Sequence, residues 1–225
     1  MDKQSLLTVY NIRKDRIKSR LEEFKHFYNT PVSWFYENKE MVLKPVDRNH
    51  NERVFEELCF CLMTANTSAE MGLKGVDGIR PMLFSGNLKD MQQALVKAGY
   101  RYPNKRAEYI AEAREKFSNI RELVDSYDDK KKLRDYLAEN VKGLGYKEAS
   151  HFLRNIGIFG LAILDKHILR TMHEQGVLEK VPKSLNKKNY LETEEKFVSF
   201  SKELGIGVDE LDLLLWSMKN GRILK

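Results

Sequence analysis

Gly143-Leu144-Gly145 constrains this chain more than any other stretch, because two helical periodicities meet at it. Upstream, Leu137 and Val141 lie four apart on an apolar face; downstream, Tyr146, Ala149, Phe152, Leu153 and Ile156 recur at helix spacing. The pattern reads as a helix-hairpin-helix over about residues 130–157. Glycines in such a turn allow backbone conformations closed to other residues, and let main-chain amides face a phosphate. A Gly-x-Gly alone also ends helices for purely structural reasons, so the flanking periodicities carry the assignment. If the apolar positions of the second helix face the core, Lys147, Ser150, His151 and Arg154 fall on the outer face, toward whatever the hairpin holds. Farther on, Asp165 precedes Ile168, Leu169 and Met172 at helix spacing and reads as an N-cap.

The sequence Gly143-Leu144-Gly145-Tyr146-Lys147-Glu148-Ala149-Ser150-His151-Phe152-Leu153-Arg154-Asn155, followed by Ile163-Leu164-Asp165-Lys166-His167-Ile168-Leu169, resembles the archaeal-type (type 2) 8-oxoguanine DNA glycosylase/AP lyases of the helix-hairpin-helix glycosylase superfamily. The likeness extends to Leu62-Met63-Thr64-Ala65-Asn66-Thr67-Ser68-Ala69, to Tyr102-Pro103-Asn104-Lys105-Arg106-Ala107-Glu108-Tyr109-Ile110, and to a chain ending in lysine. It implies an enzyme that flips and excises 8-oxoguanine and then cuts the strand, with Lys147 as nucleophile and Asp165 as catalytic carboxylate. It further implies DNA contacts at Gly143 and Gly145, and Asn66 filling the gap left by an extruded base. It also implies a base pocket containing Asp212, Trp216 and Lys225. His167 also matches the family pattern, but is read as an ordinary packing histidine rather than as a catalytic group.

Composition agrees with a globular DNA-binding protein without establishing one. The 225 residues carry a formal charge of +6, with 42% hydrophobic and 32% charged residues. No apolar run approaches the roughly 20 residues of a membrane span, and a cytoplasmic location is expected. Cys59 and Cys61 are too few for a zinc site and sit within an apolar helical stretch, so they are expected as buried thiols. Relatives in the superfamily often hold an iron-sulfur cluster with four cysteines; here neither cluster nor other cofactor is expected. The expected partner is double-stranded DNA containing oxidised guanine, with no membrane and no obligatory protein partner.

Helical periodicity covers most of the remaining chain. A long helix, or two shorter ones, runs from Leu6 to Tyr28, with Arg13, Lys14, Arg16, Lys18 and Arg20 read as a solvated face rather than as phosphate contacts. After a polar connection from Lys44 to Asn51, Val54 to Met63 form a nearly all-apolar central helix. Two more helices span Met71 to Phe84 and Leu88 to Ala98. The aromatic and cationic segment from Gly99 to Arg106 either stacks on DNA, with Tyr102 as the wedge, or anchors a turn into the core. Helices from Ala107 to Phe117, Ile120 to Tyr127 and Lys130 to Val141 lead into the hairpin; Tyr190 to Leu204 and Val208 to Lys219 close the chain. Strand signals are scarce. The expected fold is all-α, one unit over 1–225 of two packed helical lobes with a DNA-binding cleft between them. A noncatalytic helix-hairpin-helix module and a glycosylase for another lesion are the alternatives.

Overall fold

A computed structural model describes residues 3–225. Helix α1 (Lys3–Asn29) is continuous and is followed by an antiparallel hairpin, β1 (Val32–Glu37) and β2 (Glu40–Pro45). Helices α2 (His50–Thr64), α3 (Ala69–Ile79), α4 (Leu88–Lys97), α5 (Pro103–Lys116) and α6 (Ile120–Asp125) form one lobe. The chain then enters the hairpin pair α7 (Lys130–Asn140) and α8 (Tyr146–Asn155), and ends in α9 (Lys166–Glu174), α10 (Lys187–Leu204) and α11 (Val208–Asn220). Helix α1 packs along α11, so the two ends of the chain share the second lobe.

The two-stranded hairpin is the feature helical periodicity does not announce. Its turn places Asn38 and Lys39 at φ 51° and 65°, a two-residue turn of the type usually built with glycine. Val32, Ser33 and Trp34 are buried, and Trp34 sits against Phe24 and Phe27 of α1 at ring distances of 5.7 and 6.3 Å. The hairpin thus covers one end of the core, where each fully buried large apolar side chain contributes about 1.5–3 kcal/mol.

Helix α2 runs through the molecule and touches α3, α5, α6 and α8. Every residue from Arg53 to Thr64 is buried, including Arg53, Glu56 and Glu57, besides the two free cysteines. Buried charges persist only when paired. Arg53 donates to the carbonyls of Phe27 and Val32 (2.6 and 3.2 Å), and Glu56 pairs with Arg80 at 2.6 Å and with Arg48. Arg20 is likewise no solvated cation. It is 1% exposed, pairs with Glu23 at 2.6 Å and donates to the Met41 and Ile223 carbonyls. The β-hairpin and the C-terminal segment cover the helix face on which it stands.

Candidate active site

The turn between α7 and α8 is tight because Val141 and Leu144 are both buried, and because Leu144 N–H donates to the Val141 carbonyl at 3.0 Å. Gly143 has φ +86°, a region that L side chains rarely adopt, and a Cβ there would meet the Tyr109 ring at 2.3 Å. Gly145 differs from the expectation of two conformationally required glycines. Its φ of −91° and ψ of −175° suit any residue, and an added Cβ would meet only the Glu148 carboxylate, at 3.2 Å. Its N–H donates to that same carboxylate at 3.3 Å.

From this turn α8 projects Lys147, whose side chain is 23% exposed and paired with Glu148 at 3.3 Å. The rest of the helix departs from the expected outer face: Ser150, His151 and Arg154 are all buried. Helix α8 lies between α7 and α2, so only its N-terminal turn reaches solvent. Ser150 turns toward Arg134 and Tyr190, whereas His151 and Arg154 join Lys147 in lining a cavity of about 420 Å³.

Asp165 caps α9 as expected. Its Oδ1 accepts from the backbone N–H of His167 and Ile168, both at 2.8 Å, and the residue lines the same cavity. Both bonds use one oxygen, so the cap leaves Oδ2 unused. Asp212, Trp216 and Lys225 line the cavity as well. Five of the sequence-expected residues, from α8, the start of α9, α11 and the C-terminal segment, therefore converge on one space.

A continuous buried polar chain links three residues of the cavity lining, Lys225, Arg154 and Asp212. Lys225 Nζ pairs with Glu57 at 2.5 Å and lies 4.0 Å from the Phe60 ring centroid. The other Glu57 oxygen accepts from Asn155 Nδ2 at 2.7 Å, and the Asn155 carbonyl accepts two bonds from Arg154, at 3.1 and 3.0 Å. Arg154 then pairs with Asp212 at 2.5 Å. Burial outweighs the attraction of Arg154 and pushes the Asp212 carboxyl up to about 7. Burial also holds the His151 imidazole well below its ordinary range, helped by Arg154, Lys147 and Lys225 nearby, so this ring is neutral. The His151 Nε2 and the Asp212 Oδ1 are buried without a hydrogen-bond partner.

The remaining expected positions lie outside the cavity. Asn66 is exposed at the end of α2 with φ 61°, directly before Thr67 and Ser68, which line the cavity. Tyr102 is half-buried under Arg101. Its loop is tied to the end of α2 by Tyr100 O–H donating to the Met63 carbonyl at 2.5 Å and Arg106 donating to the Ala65 carbonyl at 2.7 Å. Tyr100 is thus a core anchor, and Tyr102 lies nearer solvent. His167 donates through Nε2–H to the Leu215 carbonyl (2.9 Å) and packs on Trp216, as a packing histidine would.

Sequence reasoning missed Glu57, Asn155 and the Arg154–Asp212 pair. The signal was present in α2, since a carboxylate in the middle of an all-apolar helix requires a cation somewhere in the fold. Which cation answers it depends on tertiary contact. Among the described residues no group of three or more His, Cys, Asp or Glu side chains is arranged to hold a metal ion.

Comparison with known proteins agrees with this geometry. The family model described as 8-oxoguanine DNA glycosylase matches residues 35–206. An 8-oxoguanine DNA glycosylase/AP lyase of Methanocaldococcus jannaschii is 39% identical over 212 residues, covering 94% of this chain and 93% of that protein. One of Korarchaeum cryptofilum is 46% identical over 175 residues, covering 78% and 84%. The crystal structure of the M. jannaschii enzyme in complex with a 15mer DNA containing 8-oxoguanine superposes with a TM-score of 0.84 at 36% identity, covering 98% of this chain and 100% of that one. With the family model spanning most of its length and relatives of this similarity along nearly all of it, the chain belongs to the 8-oxoguanine DNA glycosylase family.

Proposed function

We propose that this protein is a bifunctional DNA repair glycosylase/AP lyase that extrudes 8-oxoguanine from duplex DNA, excises it and cuts the strand. The observation that carries the reading is the meeting of Lys147 and Asp165, from separate elements, in one cavity beside a helix-hairpin-helix turn. The M. jannaschii relative crystallised with 8-oxoguanine DNA supports the substrate.

A base inside the duplex stack is out of reach, so the nucleotide swings into the cavity while the Gly143–Gly145 backbone holds the neighbouring phosphate. Asn66 fills the gap left in the stack, and Tyr102 wedges beside it. Trp216 stacks on the extruded base; Asp212 and the Lys225 carboxylate supply hydrogen bonds. An ordinary lysine is protonated at neutral pH, so Lys147 must lose a proton as it attacks. Asp165 accepts that proton and stabilises positive charge developing on the sugar. The Lys147 amine forms a bond to C1′ as the bond to the base breaks, and the base leaves with a proton. The sugar ring then opens to a Schiff base on Lys147, a proton is lost from C2′, and the C3′–O bond breaks.

The working unit is the whole of 1–225, two lobes with the hairpin motif at about 130–157 between them. No helix among the described residues is long and apolar enough to cross a membrane. The cytoplasm, where the DNA lies in cells without a nucleus, is the location proposed. Borohydride trapping on duplexes carrying 8-oxoguanine, other lesions or an abasic site tests the reading. A covalent adduct with 8-oxoguanine and abasic duplexes is expected. An adduct with a different lesion alone would assign another substrate, and none with any duplex would leave a noncatalytic binding module.

A further inference from the structure

The cations of α1 that the chemistry leaves unused are gathered in one place. Arg13, Arg16 and Arg20 line a groove of about 340 Å³ together with Lys39, from the β-hairpin turn, and Arg222, just before the C-terminal residues. The spacing of seven residues from Arg13 to Arg20 is two helical turns, which puts both on one face of α1. The five cations come from three segments far apart in sequence, and the fold alone unites them.

Charge in this groove is poorly neutralised. Arg16 and Arg20 share the single carboxylate Glu23, at 2.7 and 2.6 Å. Glu40 also lines the groove, leaving five cations against two carboxylates. Among the described residues, Arg13, Lys39 and Arg222 make no ion pair. Arg13 donates to the Ser217 hydroxyl at 2.8 Å, and Arg222 donates to the Lys39 carbonyl at 2.7 Å and the Tyr36 hydroxyl at 3.3 Å. Arg20, 1% exposed, keeps a buried Nε with no partner. Crowded guanidinium groups, two of them sharing one carboxylate and two bonded only to neutral oxygens, are arranged to receive an oxyanion.

The groove adjoins the candidate active site, since Arg222 and Leu224 line both spaces. We propose that this groove receives backbone phosphates of a DNA strand as it leaves the active-site cavity, a second electrostatic contact separate from the hairpin. The proposal rests on the DNA-repair reading and adds to it the path of the flanking duplex. Contacts of this kind carry no sequence information; they set affinity and register.

The test compares the wild type with the double variant Arg13→Gln, Lys39→Asn. Glutamine at 13 can still bond Ser217, and asparagine tolerates the left-handed backbone at 39; neither residue belongs to the reacting groups. Binding is measured against salt on undamaged and lesion-bearing duplexes, either full length or trimmed on one flank or the other. On the full duplex the slope of log affinity against log salt is expected to fall by about one to two, because each phosphate contact contributes about 0.9. Trimming the flank that reaches the groove should abolish the difference between variant and wild type, while the excision rate at saturating DNA stays unchanged. Equal slopes on the full duplex would overturn the proposal, as would a loss that persists whichever flank is trimmed. Inorganic pyrophosphate binding the wild type but not the variant, with equal DNA slopes, would overturn it in favour of a free phosphate ligand. Failure of the wild type to excise 8-oxoguanine would sink the enzymatic reading alone, since undamaged duplex still reports on the groove.

Discussion

The two walls of the active-site cavity are held by opposite means. Lys147 stands in the first turn of α8 with one partly buried ion pair, and Asp165 is fixed by a cap that occupies a single oxygen. Asp212, Arg154, Asn155, Glu57 and Lys225, by contrast, are all buried and bonded in series. The groups proposed to react are held by few bonds, while the wall proposed to read the base is fixed before the base arrives. Preorganisation of that kind stabilises a binding geometry at the expense of folding free energy, because burying ionised groups costs several kcal/mol before pairing offsets it.

Substitutions on the two walls should therefore separate activity from stability. Lys147→Gln is expected to reduce base release by about 10⁴-fold or more and to abolish trapping. Its melting temperature should move little, since the partly buried pair with Glu148 is a single 3.3 Å contact of the kind that contributes about 1 kcal/mol. A trapped adduct in this variant would place the nucleophile elsewhere. Asp165→Asn should slow release by about 10²- to 10⁴-fold while the fold survives, because asparagine caps nearly as well as aspartate; an unfolded variant whose folded remnant is fully active would make Asp165 purely structural.

Removing Lys225 acts on the other wall and should touch both properties. Losing a charged hydrogen bond of about 1.5–3 kcal/mol should slow 8-oxoguanine excision about tenfold to a hundredfold more than cutting at a preformed abasic site, which has no base to read. Glu57, deprived of its partner, should lower the melting temperature as well. Equal loss on both substrates would mean damage to the fold alone. Asp212→Asn addresses pH. A carboxyl raised from 3.8 to about 7 favours the folded state when protonated, so its contribution is present below about pH 4 and is lost as pH rises toward 7. The variant should flatten the decline in stability between those values, leaving the smaller slope of Asp209, pushed up to about 6 by burial. The smallest effect is expected at the turn. Gly145→Ala should leave the melting temperature unchanged and weaken duplex binding a few-fold, whereas Gly143→Ala, with a left-handed backbone against Tyr109, should destabilise the fold.

What the sequence disclosed follows the same division. Positions whose role is local were legible: the Asp165 cap and the hairpin between two amphipathic helices. Lys147 and Asp165 emerged as a pair only through their likeness to a known family, because no spacing tells that residues eighteen positions apart share a cavity. The buried wall was opaque because its links join α2, α8, α11 and the C-terminal residue, whose separations reach 168 residues between Lys225 and Glu57. Periodicity also misassigned the face of α8 holding His151 and Arg154. A polar stripe faces solvent in an ordinary surface helix, but here it faces an internal polar cavity.

The packing of α1 on α11 has a consequence for how this chain acquires its shape. Tyr10 bonds Glu210 at 2.7 Å and Arg13 bonds Ser217, contacts 200 and 204 residues apart. During synthesis α1 emerges first and waits for almost all the rest of the chain, with Leu6, Ile17 and Phe24 lacking much of their final cover. Closing so long a loop is slow, and apolar surface held open meanwhile invites association with other chains. The other lobe, α2 to α6, is contiguous in sequence and can collapse on the ribosome. The cavity, bordered by α11, then assembles among the last parts of the molecule, so the enzyme matures in one late step rather than growing active by degrees.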